Sequence, residues 1–200
     1  MKVTNMKKEG ERITFTVSGI TTQMANALRR TVISEVPVMA VEEVTFQDNS
    51  SILNDEVLAH RLGLLPLTTD LKTYNFVSVC TCKGKGCGKC TAILTLDVQG
   101  PKTVYAEDIK STDPEITPVY PKTPLVKLTE NQNIKLEAKA ILGLGSHHIK
   151  WQAGIASYED SKNSFNIMIE SYGQLPLKAL VSTAFESFEN KIETLKQQLK

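Results

Sequence analysis

The sequence predicts an α+β fold, in which strands and helices occupy separate stretches of the chain. Three observations support this class. The chain opens with an alternating apolar segment, and a segment with apolar residues four apart follows it. Its middle is rich in β-branched residues and is interrupted by prolines. Its last segment carries a long apolar stripe at helical spacing.

The opening segment predicts a strand, a helix and a second strand. Arg12–Gly19 alternates apolar and polar residues, which is the period of a half-buried strand. The helix that follows has Thr21 or Thr22 as its N-cap and ends before Pro37, because proline cannot continue it. Its apolar positions are Met24, Leu28, Val32 and Val36. Val38–Phe46 is apolar and β-branched around a glutamate pair and therefore predicts a strand.

The middle of the chain predicts one short helix and several strands. Asn54 is a suitable N-cap for a helix that ends before Pro66. β-rich runs on both sides of the cysteines predict a hairpin-like excursion with the cysteines at its tip. These runs are Phe76–Val79 and Ala92–Val98. Residues 100–125 contain five prolines and should be extended and loop-rich, and alternation predicts further strands over Ile134–Leu142 and Phe165–Glu170.

The last segment has the clearest helical periodicity in the chain. Its apolar residues form one narrow stripe of about six turns at spacings of three and four. The stripe consists of Leu177, Val181, Phe185, Phe188, Ile192, Leu195 and Leu199. One interpretation is that the stripe packs on the chain's own sheet. The near-heptad spacing and the charged remaining surface favour a helix–helix interface with another subunit as the alternative.

Composition excludes several classes of protein. The 200 residues are 41% apolar and 22% charged, which is typical of a globular chain rather than a disordered or fibrous one. The formal net charge is +1, far from the basic excess of a protein that grips a phosphate backbone by itself. No apolar run approaches the length of a membrane span or of a signal peptide, so we expect a cytoplasmic protein without membrane contact.

A cluster of four cysteines predicts a metal site. Cys80, Cys82, Cys87 and Cys90 have the spacing C-x-C, four residues, C-x-x-C. Four thiolates are the ligands of closed, structural zinc sites, and the interspersed glycines permit the tight turns that such a site needs. The neighbouring lysines offset the negative charge of a four-thiolate zinc site. An iron–sulfur centre and free thiols are the alternatives at this stage.

Other motifs carry less chemistry. The Gly-x-Gly segments lack the spacing of nucleotide-binding loops, and the three histidines have no nucleophile in a recognisable setting. The pairs Glu42-Glu43 and Asp55-Glu56 fit a solvent-facing strand and a first helical turn. Arg29 and Arg30 are different, because adjacent residues on a helix point about 100° apart and cannot face one core. They are either solvated or available to the carboxylates of a partner.

Two stretches identify a family: NALRRTVISEVPVMAVEEVTF and SSILNDEVLAHRLGLLPL. They resemble the D-type subunits of archaeal DNA-directed RNA polymerase, the counterparts of the third-largest subunit of eukaryotic RNA polymerase II and of the amino-terminal domain of the bacterial alpha subunit. The cysteine cluster, the HIKW segment (His148–Trp151) and the finish SFNIMIESYGQLPLKALV agree with this resemblance.

The resemblance implies a dimerisation domain of the alpha type, a sheet with helices, interrupted by an inserted, mostly β domain. The dimerisation domain would comprise residues 1–46 and 156–200, and the insert, with the cysteines, residues 47–155. The implied partner of the terminal stripe, from Leu177 to Leu195, is subunit L. Arg29 and above all Arg30 would contact the large subunits, and small assembly subunits would join them. Such a subunit has no catalytic residues, because nucleotidyl transfer belongs to the whole polymerase, which also makes the contacts to DNA.

The chain departs from the family pattern in three places. Many members carry iron–sulfur cysteines between the HIKW segment and the last strand, but Gln152–Ser164 contains no cysteine, so an iron–sulfur cluster is excluded there. The middle gap of the cysteine cluster is one residue longer than in the eukaryotic zinc pattern. Ile149 replaces the expected alanine.

Two other functional classes remain as alternatives. The first is a stand-alone zinc-ribbon protein that binds nucleic acid through Lys83, Lys85 and Lys89, although a basic loop on a near-neutral chain is weak support. The second is a small metalloenzyme, which would need an open ligand position and a base that the sequence does not provide.

Overall fold

The computed structural model describes residues 1–162 and 164–199 and divides the chain into two compact units. Unit 1 comprises Met1–Pro37 and the chain from Leu144 onward, and unit 2 comprises Val38–Gly143. The first unit is thus discontinuous in sequence, but its boundaries differ from the expected 46 and 156. The reason is hydrogen bonding: Val38 pairs with Gly143, so the strands that begin and end there belong to the same sheet of unit 2.

The predicted α+β class is confirmed by three helices and ten strands within the described residues. The helices are α1 (Thr22–Ser34), α2 (Asp55–Gly63) and α3 (Leu177–Gln198). The strands of unit 1 are β1 (Lys2–Glu9), β2 (Arg12–Ser18), β9 (Gly154–Ser161) and β10 (Ser164–Ser171). Those of unit 2 are β3 (Val38–Asn49), β4 (Thr91–Gln99), β5 (Lys102–Tyr105), β6 (Lys110–Ser111), β7 (Pro124–Leu128) and β8 (Asn133–Gly143).

Unit 1 is a four-stranded antiparallel sheet with two helices. The strand order is β1-β2-β10-β9, and α1 packs against β9 and α3 while α3 also contacts β10. The Thr21 hydroxyl accepts a hydrogen bond from the Met24 backbone N–H, so the predicted cap of α1 is confirmed. The core lies between the sheet and the helices and includes Phe15, Val17, Leu28, Val32, Ile167, Ile169 and Leu180.

Unit 2 contains a second sheet of order β3-β8-β4-β6 and a separate β5-β7 pair. Its core collects the residues that alternate inward from these strands and the buried side of α2. Asn54 occupies the N-cap position of α2 as predicted, but its side chain makes no capping hydrogen bond. His60 and Arg61 lie in the last turn, where cationic side chains are favoured.

Two local predictions differ from the structure. The expected strand over Phe76–Val79 is wrong: Val77–Val79 forms a single 3-10 turn, closed by a hydrogen bond from the Val79 N–H to the Phe76 carbonyl. The cysteine cluster therefore lies in a loop before β4 rather than at the tip of a hairpin. Strand β1 was not expected, because all its residues are exposed and give no burial pattern. No helix of the described chain is both long and apolar enough to span a membrane.

Candidate functional site

The four cysteines lie in one compact loop of unit 2. Cys80 and Cys90 are buried, whereas Cys82 and Cys87 are partly exposed. Backbone hydrogen bonds close the turns within each pair: the Lys83 N–H donates to the Cys80 carbonyl at 3.0 Å, and the Cys90 N–H donates to the Cys87 carbonyl at 2.9 Å. In the loop between the pairs, the backbone is in the left-handed region at Lys83, Gly84 and Gly86. Glycine favours this region, so the two glycines permit the tight turns that were expected of them.

The sulfur atoms have the arrangement of a metal site. All four Sγ atoms lie within 4.8 Å of one another. The Cys80–Cys87 and Cys82–Cys90 Sγ pairs are both 3.6 Å apart, and the Cys87–Cys90 pair is 3.8 Å apart. Sulfur ligands about 2.3 Å from a tetrahedral ion are about 3.8 Å apart, so this geometry fits a four-coordinate metal. The cluster can therefore hold a metal ion.

The local environment favours deprotonation of one thiol. Burial raises the pKa of Cys82, but hydrogen bonds with the Cys80 and Cys90 thiols and with the N–H groups of Gly86 and Gly84 outweigh it and lower the pKa to about 7. Burial raises the pKa of Cys90 to about 11. Because the thiolate is the metal-binding form, the lowered pKa of Cys82 favours binding of a metal ion and the raised pKa of Cys90 opposes it.

The charged groups near the cluster are solvent-facing. Lys83, Lys85 and Lys89 are exposed on the loop, where their positive charge is placed to balance the thiolates. On the neighbouring sheet, Glu43 forms an ion pair with Lys139 at 3.1 Å. This pair agrees with the interpretation of Glu42 and Glu43 as residues of a solvated strand face.

The apolar stripe of α3 divides into two parts. Leu177 is buried in the core of unit 1, together with Leu180 and Ala184, which the stripe did not include. Val181 and Phe188 are half-buried. The remaining stripe residues are exposed: Phe185 by 44%, Ile192 by 40%, Leu195 by 56% and Leu199 by 78%. Packing on the chain's own sheet thus accounts only for the first turns, and the later turns present apolar side chains to solvent.

The two arginines of α1 differ in their exposure and contacts. The Arg29 guanidinium donates two hydrogen bonds to Asn26 Oδ1, at 3.0 and 3.2 Å, and is half-buried. Arg30 is exposed and has no side-chain hydrogen bond or ion pair with any residue that the structure describes. Of the two, Arg30 is therefore the one whose guanidinium faces solvent without a partner among the described residues, and its contact with a large subunit stays a prediction.

Sequence analysis did not identify Glu35, the C-cap residue that directly follows α1. Its carboxylate forms an ion pair with Lys191 of α3 at 2.7 Å, and its carbonyl accepts a hydrogen bond from the Ser187 hydroxyl. Its position before Val36 and Pro37 does not indicate a contact with Ser187, which is 152 residues away in sequence. The sequence indicated only that α1 ends near this position, because Pro37 follows.

Comparison with known proteins places the chain in a family. The profile of the RNA polymerase Rpb3/RpoA insert domain matches residues 44–170. DNA-directed RNA polymerase subunit Rpo3 of Methanosarcina acetivorans is 43% identical over 157 residues, which are 78% of this chain and 59% of the relative. The same subunit of Pyrococcus furiosus is 41% identical over 159 residues, 80% of this chain and 59% of the relative.

A third relative agrees with these two. Subunit Rpo3 of Thermoplasma volcanium is 43% identical over 171 residues, 78% of this chain and 63% of the relative. The chain thus spans about three fifths of the length of the relatives that it matches. The resemblance inferred from the sequence is confirmed: the chain belongs to the DNA-directed RNA polymerase subunit Rpo3 family, the D-type subunits of the archaeal enzyme.

Proposed function

We propose that this chain is a non-catalytic assembly subunit of DNA-dependent RNA polymerase. In this role it forms a heterodimer with subunit L, and the heterodimer is the platform on which the two large catalytic subunits and the small assembly subunits come together in the cytoplasm. Family membership supports this function over the stand-alone zinc-ribbon protein. The observation that carries it is the exposed apolar stripe on the later turns of α3.

The stripe has the properties of a subunit interface. Phe185, Ile192 and Leu195 follow one another at near-heptad spacing, and each leaves two fifths or more of its surface exposed. Exposed apolar side chains that follow one another along a helix are costly in water and mark a surface that a partner covers. A helix–helix seam with subunit L buries them at once, as knobs of one helix fit between residues of the other.

The metal centre has a structural role in this proposal. Cys80, Cys82, Cys87 and Cys90 would hold Zn²⁺, which would supply four bonds that close the loop before β4. With four thiolate ligands such an ion would have no open position for water or substrate, which argues against the small metalloenzyme. The centre would fix the surface of unit 2 that the large subunits contact.

Arg30 has the second recognition role. Its planar guanidinium can bind a carboxylate through two parallel hydrogen bonds, and nothing in the described chain competes for it. We assign it to the second-largest subunit, with Arg29 beside it. Catalysis and contact with DNA would remain properties of the whole polymerase.

The experiment is an assembly reaction from purified recombinant polymerase subunits, with and without this chain. The expected result is a complex with transcription activity only when this chain and subunit L are both present. A complex that forms and transcribes equally well without this chain would contradict the proposed function.

A further inference from the structure

We propose that Glu35 is a positioning residue that holds the later turns of α3 in place before a partner binds. The inference concerns the apolar surface that the proposed heterodimer uses. The purpose of that surface, binding subunit L, rests on the proposed function. The contact between Glu35 and α3 is a property of the chain itself.

The later turns of α3 have little to hold them. The buried residues of the helix, Leu177, Leu180 and Ala184, all lie in its first eight positions. About four turns follow, and every described residue from Glu189 onward is exposed, Ile192 least so at 40%. Isolated helices of fewer than about 12 to 15 residues are marginal in water, so this half of α3 depends on contacts with the rest of unit 1.

Glu35 supplies the polar contacts of this half. Its carboxylate is 2.7 Å from Lys191 Nζ, and its backbone carbonyl accepts from Ser187 Oγ at 3.4 Å. Within residues 1–162 and 164–199, no other residue outside α3 makes a hydrogen bond or ion pair with the helix beyond Ala184. Ser187 and Lys191 are four apart, so both lie on the side of α3 that faces the end of α1.

Glu35 is itself held firmly. Its N–H donates to the Thr31 carbonyl at 2.9 Å, and its side chain is only 22% exposed. The neighbouring Ser34 carbonyl accepts from the Ser146 N–H at 3.0 Å. Gly145 approaches the same turn so closely that a Cβ there would clash with the Ile33 carbonyl oxygen. The end of α1 is therefore a fixed point, and Lys191 also gains from the negative end of the α1 dipole.

The consequence for binding is preorganisation. If the later turns of α3 are ordered in the free chain, a partner meets a formed apolar seam and does not have to order about twelve residues on contact. Without the Glu35 contacts, a fraction of the chains would have a frayed seam, and only the ordered fraction could bind.

The test is hydrogen–deuterium exchange of the free, metal-loaded chain, followed over residues 186–198. Glu35→Gln and Lys191→Gln should each lower protection of this segment by about two- to fivefold, the range of a partly exposed ion pair. The double variant should be no worse than either single one, because both remove the same contact. Glu186→Gln and Lys196→Gln are the matched controls: they make the same charge changes on exposed α3 residues and should leave protection unchanged.

Two outcomes would overturn the inference. One is unchanged protection in Glu35→Gln and Lys191→Gln. The other is a fold-loss of protection in the double variant that equals the product of the two single fold-losses, which would mean that the two residues act independently. Titration with subunit L separates the inference from the proposed function. If the wild-type chain does not bind subunit L but Glu35→Gln lowers protection, the positioning role of Glu35 is supported and the proposed pairing is contradicted. If subunit L binds and protection is unchanged in all variants, the pairing stands and the positioning role falls.

Discussion

Replacing Leu195 with alanine should weaken binding of subunit L without weakening the fold. Complete burial of a leucine side chain stabilises by about 1.5–3 kcal/mol. Leu195 is 56% exposed in the free chain, so a partner that covers it gains about 0.8–1.7 kcal/mol. Since 1.4 kcal/mol changes an equilibrium constant tenfold, Leu195→Ala should raise the Kd by about four- to sixteenfold.

The assay is isothermal titration of subunit L into the chain, together with thermal unfolding of the chain alone. Leu180→Ala is the informative comparison, because Leu180 lies on the same helix but is fully buried within unit 1. That variant should lose about 2–5 kcal/mol of unfolding free energy. Any loss of binding in it would result from partial unfolding of unit 1. Glu193→Ala, an exposed change beside the stripe, should alter neither quantity.

The reasoning would be refuted by the reverse pattern. If Leu195→Ala lowers the melting temperature of the free chain as Leu180→Ala does, while the Kd for subunit L stays unchanged, the later stripe is part of the chain's own core.

Three further predictions concern the other parts of the account. Cys90→Ser should abolish binding of one Zn²⁺ per chain, measured by elemental analysis, and lower the melting temperature of the chain, while the Kd for subunit L stays within twofold or so of wild type. Arg30→Ala should leave the heterodimer intact but reduce capture of the second-largest subunit by about thirtyfold or more, because truncation of an interface hot spot costs about 2 kcal/mol or more, in a pull-down with purified subunits; equal capture would remove Arg30 from the interface. Burial raises the pKa of Asp108, but hydrogen bonds from Lys102 and the Tyr105 N–H outweigh it and lower the pKa, so its stabilisation is present above the unfolded value of about 3.9 and disappears as pH falls through the folded one. The denaturation midpoints of wild type and Asp108→Asn should therefore differ at neutral pH and converge once the pH has fallen below the folded pKa of Asp108.

Local signals in the sequence were sufficient for the elements with strong periodicity. The Thr21 cap and the four-residue spacing after it predicted α1, and alternation predicted β2, β8 and β10 within one or two residues of their ends. The cysteine cluster was predictable for the same reason: its ligands are close in sequence, so spacing alone brings their sulfur atoms together.

Features that depend on distant parts of the chain could not be predicted in this way. β1 has no buried face, so its exposed residues carry no alternation that would indicate a strand. Val77–Val79 contains two strand-forming valines, but it forms a turn next to the cysteine loop. A hydrogen bond from the Asn75 N–H to the Lys89 carbonyl, at 2.8 Å, closes that loop. The buried face of α3 and the Glu35–Lys191 pair depend on how α1 and α3 meet, which no local pattern encodes.

The most direct test of the central claim is the mass in solution of this chain co-expressed with subunit L. The account predicts a stable complex with one copy of each chain, which separates into its parts when Phe185 and Phe188 are both replaced with lysine while the metal content stays the same. A wild-type chain that remains a soluble monomer in the presence of subunit L would contradict the account.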